Sequence, residues 1–507
     1  MARRHKHRLN PDIDVNFGIP KSTLPDPRRI LVAAGVGGNI YYREGDRPPA
    51  PYVAPPPTPR PFTQTNDIRI PIGGGAFIAG RYANRHGLIT GATGSGKSVT
   101  LMTLAEGFCN AGVSTFVVDA KGDLSALARS TPARFLDVFG DQGESARMSF
   151  DRLGSELVAR LLELSDAQAG TLEILYAIAA DRGAAIHDIR DLHATIRIAR
   201  DNAESVRARF GHFTPTTLAA IGRAVLRLER QGARQAFERD SFDAFTLFGP
   251  KDGAMLDGRG KVNILAADRL LRSPALYSAF IIGLLQDIYD RAAEAGDLPR
   301  PILALFIDEA HLLFQDCPAS LLQRIERIVR LIRSKGVALF FVSQSPADIP
   351  STIVAQLGNR IQHGLRGVTP ADLRAIRAAV DSMPANPSID AGAVIGSLGV
   401  GEALVSTIGP SGNPVMLQRV RVALPRCPLG PLQPSERPAV PEPLGPKATV
   451  RGAPGQAQPT GFDKVMAVVT IAVLFGAAGA VFYWFSIGWG LLSLAAVIWF
   501  LQKMARA

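Results

Sequence analysis

Between residues 91 and 98 the chain reads GATGSGKS, so Gly91 is followed by four residues and then by Gly96-Lys97-Ser98. Glycines at those places let the main chain bend and turn its N–H groups inward, which is how a loop cradles phosphate oxygens. A short apolar run, GLIT at 87–90, precedes the loop, and a Leu/Met/Ala-rich run able to form a helix follows from about Lys97. The positive end of that helix adds to the attraction for phosphate. Gly91, Ala92, Thr93, Gly94, Ser95, Gly96, Lys97, Ser98 and Val99 are therefore the candidate nucleotide-binding residues. Lys97 would reach the β- and γ-phosphates, and the Ser98 hydroxyl would be a ligand of Mg²⁺.

Hydrolysis needs more than a cradle. The run ILALFIDEA is an apolar strand that would carry Asp308 and Glu309 to the sheet edge where open α/β sheets bind ligands. Asp308 would hold Mg²⁺ through water, and Glu309 would orient and deprotonate the attacking water from a strand next to the phosphate loop. The same two acids would also suit the positive end of the following helix. A further strand, VALFFVSQS, ends in Ser343-Gln344, and a glutamine there can sense the terminal phosphate by hydrogen bonding to it or to the water. Between the two strands, Leu321, Leu322, Ile325, Ile328, Val329 and Ile332 share one helix face and leave Arg324, Arg327, Arg330 and Arg333 outside it. Arg333, just before Gly336, is placed to enter a neighbouring subunit's site, although an arginine in a last turn also favours the helix dipole. Asp308-Glu309-Ala310-His311 spells a helicase box, but four letters alone leave His311 a structural residue.

The elements that must position these groups alternate. Strand-like runs at 113–124, 262–268, 302–310 and 337–345 are separated by helical ones, which predicts a parallel α/β sheet covered on both faces. From 151 to 239 the texture is helical throughout, with Thr214-Pro215 as a cap followed by proline in the first turn, and this reads as an all-helical insertion. Two runs near the end of the core, EALVSTI and PVMLQRVRVAL, read as a closing hairpin across GPSGN.

The 507-residue chain carries a formal charge of +11 and a sequence pI near 9.8, which suits an anionic partner such as nucleic acid or a membrane surface. Cys109, Cys317 and Cys427 are far apart and odd in number, which predicts a reducing compartment and no disulfide framework. The basic start has no apolar stretch after it, so no export signal is expected. Residues 1–66 form a basic, Pro-rich arm with one strand-like stretch at 29–34, and 426–464 is a Pro/Gly-rich linker with little structure. From 465 to 501 no residue is charged, while Lys464 precedes the run and Lys503 and Arg506 follow it. With both ends cytoplasmic by the positive-inside rule, 465–503 reads as a transmembrane helical hairpin.

The strings NRHGLITGATGSGKSVTL, FVVDAKGDLS, FIDEAHLLF, RLIRSKGVALFFVSQSPADIP, QLGNRIQHGLRGVTPADLRAI and LGVGEALVS together resemble bacterial HerA-like P-loop ATPases, within the HerA/FtsK group of ring translocases. The resemblance implies a RecA-like ATPase core over 67–150 and 240–425, a homo-oligomeric ring expected to be a hexamer, ATP and Mg²⁺ as cofactors, and a pore through which a polymer, usually DNA, is moved. It implies Lys97 and Ser98 as the Walker A pair, Asp308 and Glu309 as the Walker B pair, Gln344 as sensor and Arg333 as arginine finger. Arg360, in GNRI, is a second candidate for an arginine facing nucleotide or interface. The short arm departs from the β-barrel of archaeal relatives, which leaves any partner nuclease open. The apolar hairpin departs as well, and places the motor at the cytoplasmic face of a bacterial inner membrane. A membrane-associated secretion or conjugation ATPase acting on protein, and a nucleotide-gated membrane scaffold, are the alternatives. A GTPase switch is disfavoured by the absence of an N-K-x-D motif.

Overall fold

The computed structural model describes residues 30–32, 40–42 and 68–437, apart from 240, 250–257, 368, 410, 434 and 435. The chain divides into two units, Met1–Pro441 and Glu442–Ala507. The apolar segment 465–503 lies outside the described residues, and among those that are described no helix is long and apolar enough to cross a membrane.

In the arm, β1 (Ile30–Val32) pairs antiparallel with β2 (Ile40–Tyr42). The core opens with a hairpin of β3 (Arg69–Gly73) and β4 (Ala76–Ala79), then β5 (Gly87–Thr90), α1 (Lys97–Asn110), β6 (Ser114–Asp119), β7 (Ala133–Asp137) and β8 (Glu144–Ser145). A run of helices follows: α2 (Phe150–Leu161), α3 (Asp166–Asp181), α4 (Ile189–Asp201), α5 (Ala203–Phe210) and α6 (Pro215–Arg230). The main sheet resumes with β9 (Val262–Ala266), α7 (Pro274–Arg291), β10 (Leu303–Ile307), α8 (Ala319–Leu331), β11 (Val337–Ser343), α9 (Ser351–Val354) and β12 (Asn359–His363). The last elements are α10 (Pro370–Asp381), α11 (Ala391–Ser397), β13 (Glu402–Ser406) and β14 (Gln418–Arg421).

Ten strands form one sheet in the order β14-β13-β12-β5-β11-β10-β6-β9-β7-β8. From β12 to β8 every pairing is parallel, and β13 and β14 add the antiparallel hairpin at one edge. A parallel sheet buried on both faces needs strands that are apolar throughout, and every residue of β6, β10 and β11 is buried. Successive side chains serve opposite faces: Phe306, Phe340 and Val342 pack with Leu101, Leu104 and Phe108 of α1. Leu305, Leu339 and Phe341 pack instead with α7, α8 and the helices of 150–230. On the α1 side Phe306 and Phe340 stack at 4.9 Å between centroids. That stack sets the identity of residue 87, because a Cβ there would lie 2.3 Å from the Phe340 ring.

The helices between β8 and β9 are capped by their own sequence. Asp188 accepts from the main-chain N–H of Arg190 and Asp191, and Thr214 accepts from Thr217 N–H with Pro215 in the first turn. The block is anchored on α7, where a Cβ at Gly283 would come within 2.5 Å of Leu153 on α2.

The segment after β14 is docked where little structure was expected from 426 onward. Arg426 N–H donates to Glu106, Leu432 N–H donates to Ser125 Oγ, and Arg129 reaches the carbonyl of Gly430 and the carboxylate of Glu436. Buried Cys427 and Leu432 join the core around α1 and explain why a proline-rich stretch is held: its few apolar side chains find a groove, and side chains of the core take up its main-chain groups.

Candidate nucleotide-hydrolysis site

β5 delivers the phosphate loop to the carboxy-terminal edge of the sheet, and its two neighbours hold the loop in place. Gly91 N–H donates to the Gln344 carbonyl just beyond β11 at 3.2 Å, and Ala92 N–H donates to the Gly364 carbonyl just beyond β12 at 3.0 Å. A Cβ on Gly91 would sit 2.5 Å from the Cβ of His363, and one on Gly96 would sit 3.1 Å from the main-chain nitrogen of Gly401. Gly96, at φ +115, caps α1 in a conformation that favours glycine. Thr93 and Gly94 are exposed, Ser95 Oγ donates to the Ala92 carbonyl, and Val99 packs at the rim of the α1-side core. Lys97 folds back on the loop: its Nζ donates to Gly91 O at 2.6 Å and to Ala92 O at 3.0 Å. Burial pushes the Lys97 ammonium below its ordinary range, while the carboxylates of Asp308 and Glu309 act in the opposite direction.

β10 brings the two acids to the same edge, but not from the strand next to the loop. β11 lies between β5 and β10. The expectation of adjacency is corrected by the crossovers: β10 pairs with β6 and β11, so the acids face the loop across the end of β11. Burial, reinforced by the Glu309 charge, pushes the Asp308 carboxyl up to about 6, while Lys97 and Lys121 pull it down. Glu309 adopts φ +49, left-handed backbone that costs a non-glycine residue about 1–2 kcal/mol. Its N–H donates to Asp308 Oδ1 at 2.9 Å, and its Oε2 lies 3.4 Å from His311 Nδ1. Residues held in sparsely populated backbone conformations concentrate at functional sites.

Gln344 stands with an exposed side chain at the carboxy-terminal end of β11, beside Gly91. Arg333 stands at the other end. At about 3.3 Å per residue, the seven residues of β11 separate the two by roughly 20 Å. Arg333 lines a cleft of about 230 Å³ with Arg81, Asn84, Arg85, Asp297 and Ser334, and among the described residues neither Arg333 nor Arg85 has an ion-pair partner. Arg360, the candidate for an arginine facing nucleotide or interface, stands away from the loop of its own chain. It lies near the amino-terminal end of β12, and its Nη2 donates to the Val354 carbonyl of α9 at 2.7 Å.

Several groups join the site that motif spacing does not reveal. His363, neutral because burial pushes it down to about 4, lies with Nε2 2.8 Å from Thr100 Oγ1 and Nδ1 3.0 Å from the Glu402 carbonyl. It thereby ties the first turns of α1 to the start of β13. Gln362 accepts from Thr90 Oγ1 at 2.6 Å, next to the loop. Tyr277, on α7, donates its hydroxyl to the Asp308 carbonyl. These are single polar residues far apart in the chain. Lys121 did have a signal, since it sits within the strand-end string DAKGD, whose Asp119 accepts from the N–H of Gly122 and of Ser125 just beyond it.

The residues present fit a Mg²⁺–nucleotide. Ser98 and Asp308 offer hard oxygen donors, and Mg²⁺ commonly takes one or two protein oxygens, phosphates and water. Gly91 and Gly96 stand where a side chain would push the loop off its flanking strands.

A match to the family described as Helicase HerA-like C-terminal covers residues 69–131 and 128–444. The chain belongs to the HerA-like P-loop ATPase family. It is 31% identical over 151 residues to the DNA double-strand break repair helicase HerA of Saccharolobus solfataricus, an alignment that spans 29% of each chain. Its fold is similar to that of the bacterial conjugative coupling protein TrwBdeltaN70, with a TM-score of 0.53, 18% identity, and coverage of 74% of this chain and 92% of that one. The plasmid coupling protein TrwB in complex with ADP and Mg²⁺ has the same fold at a TM-score of 0.50 and 18% identity, covering 70% of this chain and 88% of that one. As a member of this family the chain has the core of an NTPase motor of the HerA/FtsK type.

Proposed function

We propose that the protein is a ring-forming ATPase that moves double-stranded DNA, tethered by 465–503 to the cytoplasmic face of a bacterial inner membrane. The observation that carries the reading is the convergence at one sheet edge of Lys97 on the phosphate loop, Asp308 and Glu309 across β11, and Gln344 beside Gly91. On ATP binding, Lys97 exchanges the carbonyls of Gly91 and Ala92 for β- and γ-phosphate oxygens, and the loop amides take the remaining phosphate charge. Ser98 and Asp308 would hold Mg²⁺, which when bound neutralises charge on the phosphate oxygens. Glu309 accepts a proton from the attacking water, and Gln344 hydrogen-bonds to that water or to the γ-phosphate. Arg333 lies too far from its own loop to take part, so it would serve a neighbour's nucleotide, with Arg85 beside it in the same cleft. An arginine supplied in trans is typically worth about 10³–10⁵ in rate and makes turnover depend on assembly.

DNA as the polymer is supported by the charge of +11 and by the similarity to the Saccharolobus DNA double-strand break repair helicase. The fold shared with a conjugative coupling protein favours a second reading, a membrane ATPase that acts on protein during secretion or conjugation. ATPase rate with and without duplex DNA across salt separates the two. Stimulation that fades steeply as salt rises supports the DNA motor. A rate indifferent to DNA counts against it. Glu309→Gln should retain ATP and lose turnover, and mixing it with Arg333→Ala subunits should restore part of the activity. Removing 465–507 should release the chain from membranes, and retention there would refute the tether.

A further inference from the structure

The segment that begins at Asp308 is gripped from two sides by groups the proposed mechanism does not use. Tyr277, fully buried on α7, donates its hydroxyl to the main-chain carbonyl of Asp308. Arg160, on α2, donates to the carbonyls of Leu313 at 3.2 Å and Gln315 at 2.8 Å. Between those anchors lie Glu309 in its left-handed conformation and the buried side chains of Ala310 and Leu313.

The carbonyl that Tyr277 holds belongs to the peptide unit linking Asp308 to Glu309. Rotation of that unit changes φ of Glu309 and with it the direction of the carboxylate. A glutamate left to local preference would relax out of the left-handed region, so something outside the segment must hold it there. The Tyr277 hydroxyl, buried on α7 and donating to the Asp308 carbonyl, supplies that hold. Its helix is fixed in turn by α2, which packs into the gap that Gly283 leaves open.

We propose that Tyr277 is a positioning residue for hydrolysis: its hydroxyl fixes the Asp308 carbonyl and thereby aims the Glu309 carboxylate at the attacking water. The proposal rests on the reading of Glu309 as the base, and its test keeps the two apart. Full-length Tyr277→Phe, which keeps the ring and loses only the hydroxyl, is compared with wild type and Glu309→Gln for ATPase kcat and KM, affinity for a fluorescent ATP analogue with Mg²⁺, and Tm. The expected result is a kcat lowered about tenfold in Tyr277→Phe, with KM and analogue affinity within about twofold of wild type and Tm nearly unchanged. A wild-type kcat in Tyr277→Phe beside an inactive Glu309→Gln overturns the positioning role and leaves the base assignment standing. Turnover retained by Glu309→Gln removes the base itself, and the proposal with it. A fall in kcat accompanied by equal losses of analogue affinity and Tm shows that the hydroxyl only supports packing, and this too overturns the proposal.

Discussion

The Nζ of Lys97 lies 2.6 Å from the carbonyl oxygen of Gly91, so the loop's own main chain occupies the cation that phosphate would use. A nucleotide must outcompete that contact and the one to Ala92, which a doubly charged terminal phosphate can do through charge-assisted hydrogen bonds. Lys97→Ala should raise the Kd for Mg²⁺–ATP by about a hundredfold or more, the equivalent of about 3 kcal/mol. Titration with a fluorescent ATP analogue checks this, and an unchanged Kd would remove Lys97 from the phosphate contact.

Gly91 is tied to His363 by the absence of a side chain. A Cβ would meet the Cβ of His363 at 2.5 Å and its Cα at 3.2 Å, and φ there is +152. The obstacle lies at the root of a neighbouring residue, where no rotamer change relieves it. Gly91→Ala should weaken nucleotide binding at least tenfold and lower Tm, both measured on the full chain. Normal binding would mean that the end of β12 moves freely against the loop.

Stability should fall as pH falls below neutrality. His86 is buried and neutral, with Nε2 2.8 Å from the Val329 carbonyl and Nδ1 accepting from Leu339 N–H at 3.0 Å. Burial lowers it from the ordinary 6.5 to about 4. His363 shifts in the same direction for the same first cause. Between those values the unfolded chain binds more protons than the folded one, so the stabilisation is present above about 6.5 and is lost as pH drops toward 4. Each histidine accounts for up to about 3 kcal/mol of that loss. His86→Gln should therefore shrink the difference in Tm between pH 7.5 and pH 5, and an unaltered pH slope would mean that His86 is not buried neutral.

Gly283 is the point at which α7 admits the α2 side. A Cβ would meet only the far ends of Leu153 and Met148, which can move, so Gly283→Ala should change stability little, the helix gaining a better former as the contact tightens. Gly283→Leu overfills the same gap and should cost about 1–3 kcal/mol in chemical denaturation. Equal midpoints for the two variants would show that α2 and α7 are loosely packed.

Truncation after residue 425 removes Cys427 and Leu432 from the core and leaves Ser125 and Glu106 without main-chain donors. A fall in Tm of several degrees relative to a chain ending at residue 441 is expected, and identical melting would mean the docked segment adds nothing.

Local features could be read directly from the chain. The phosphate loop depends on neighbouring residues whose glycines dictate a bend, and the fully apolar runs that became β6, β10 and β11 state their own burial. The Thr214-Pro215 cap needed no tertiary partner to be legible. What the fold alone decided is who stands beside whom. Strand order follows from the way crossover helices pack on two faces of a sheet, and it put β11 between the loop and the acids where adjacency was expected. Tyr277 and His363 carry no motif, because they work through hydrogen bonds to residues far away in sequence. Spacing along a chain records the contacts that secondary structure repeats, and a single buried donor meeting a single distant acceptor leaves no such record.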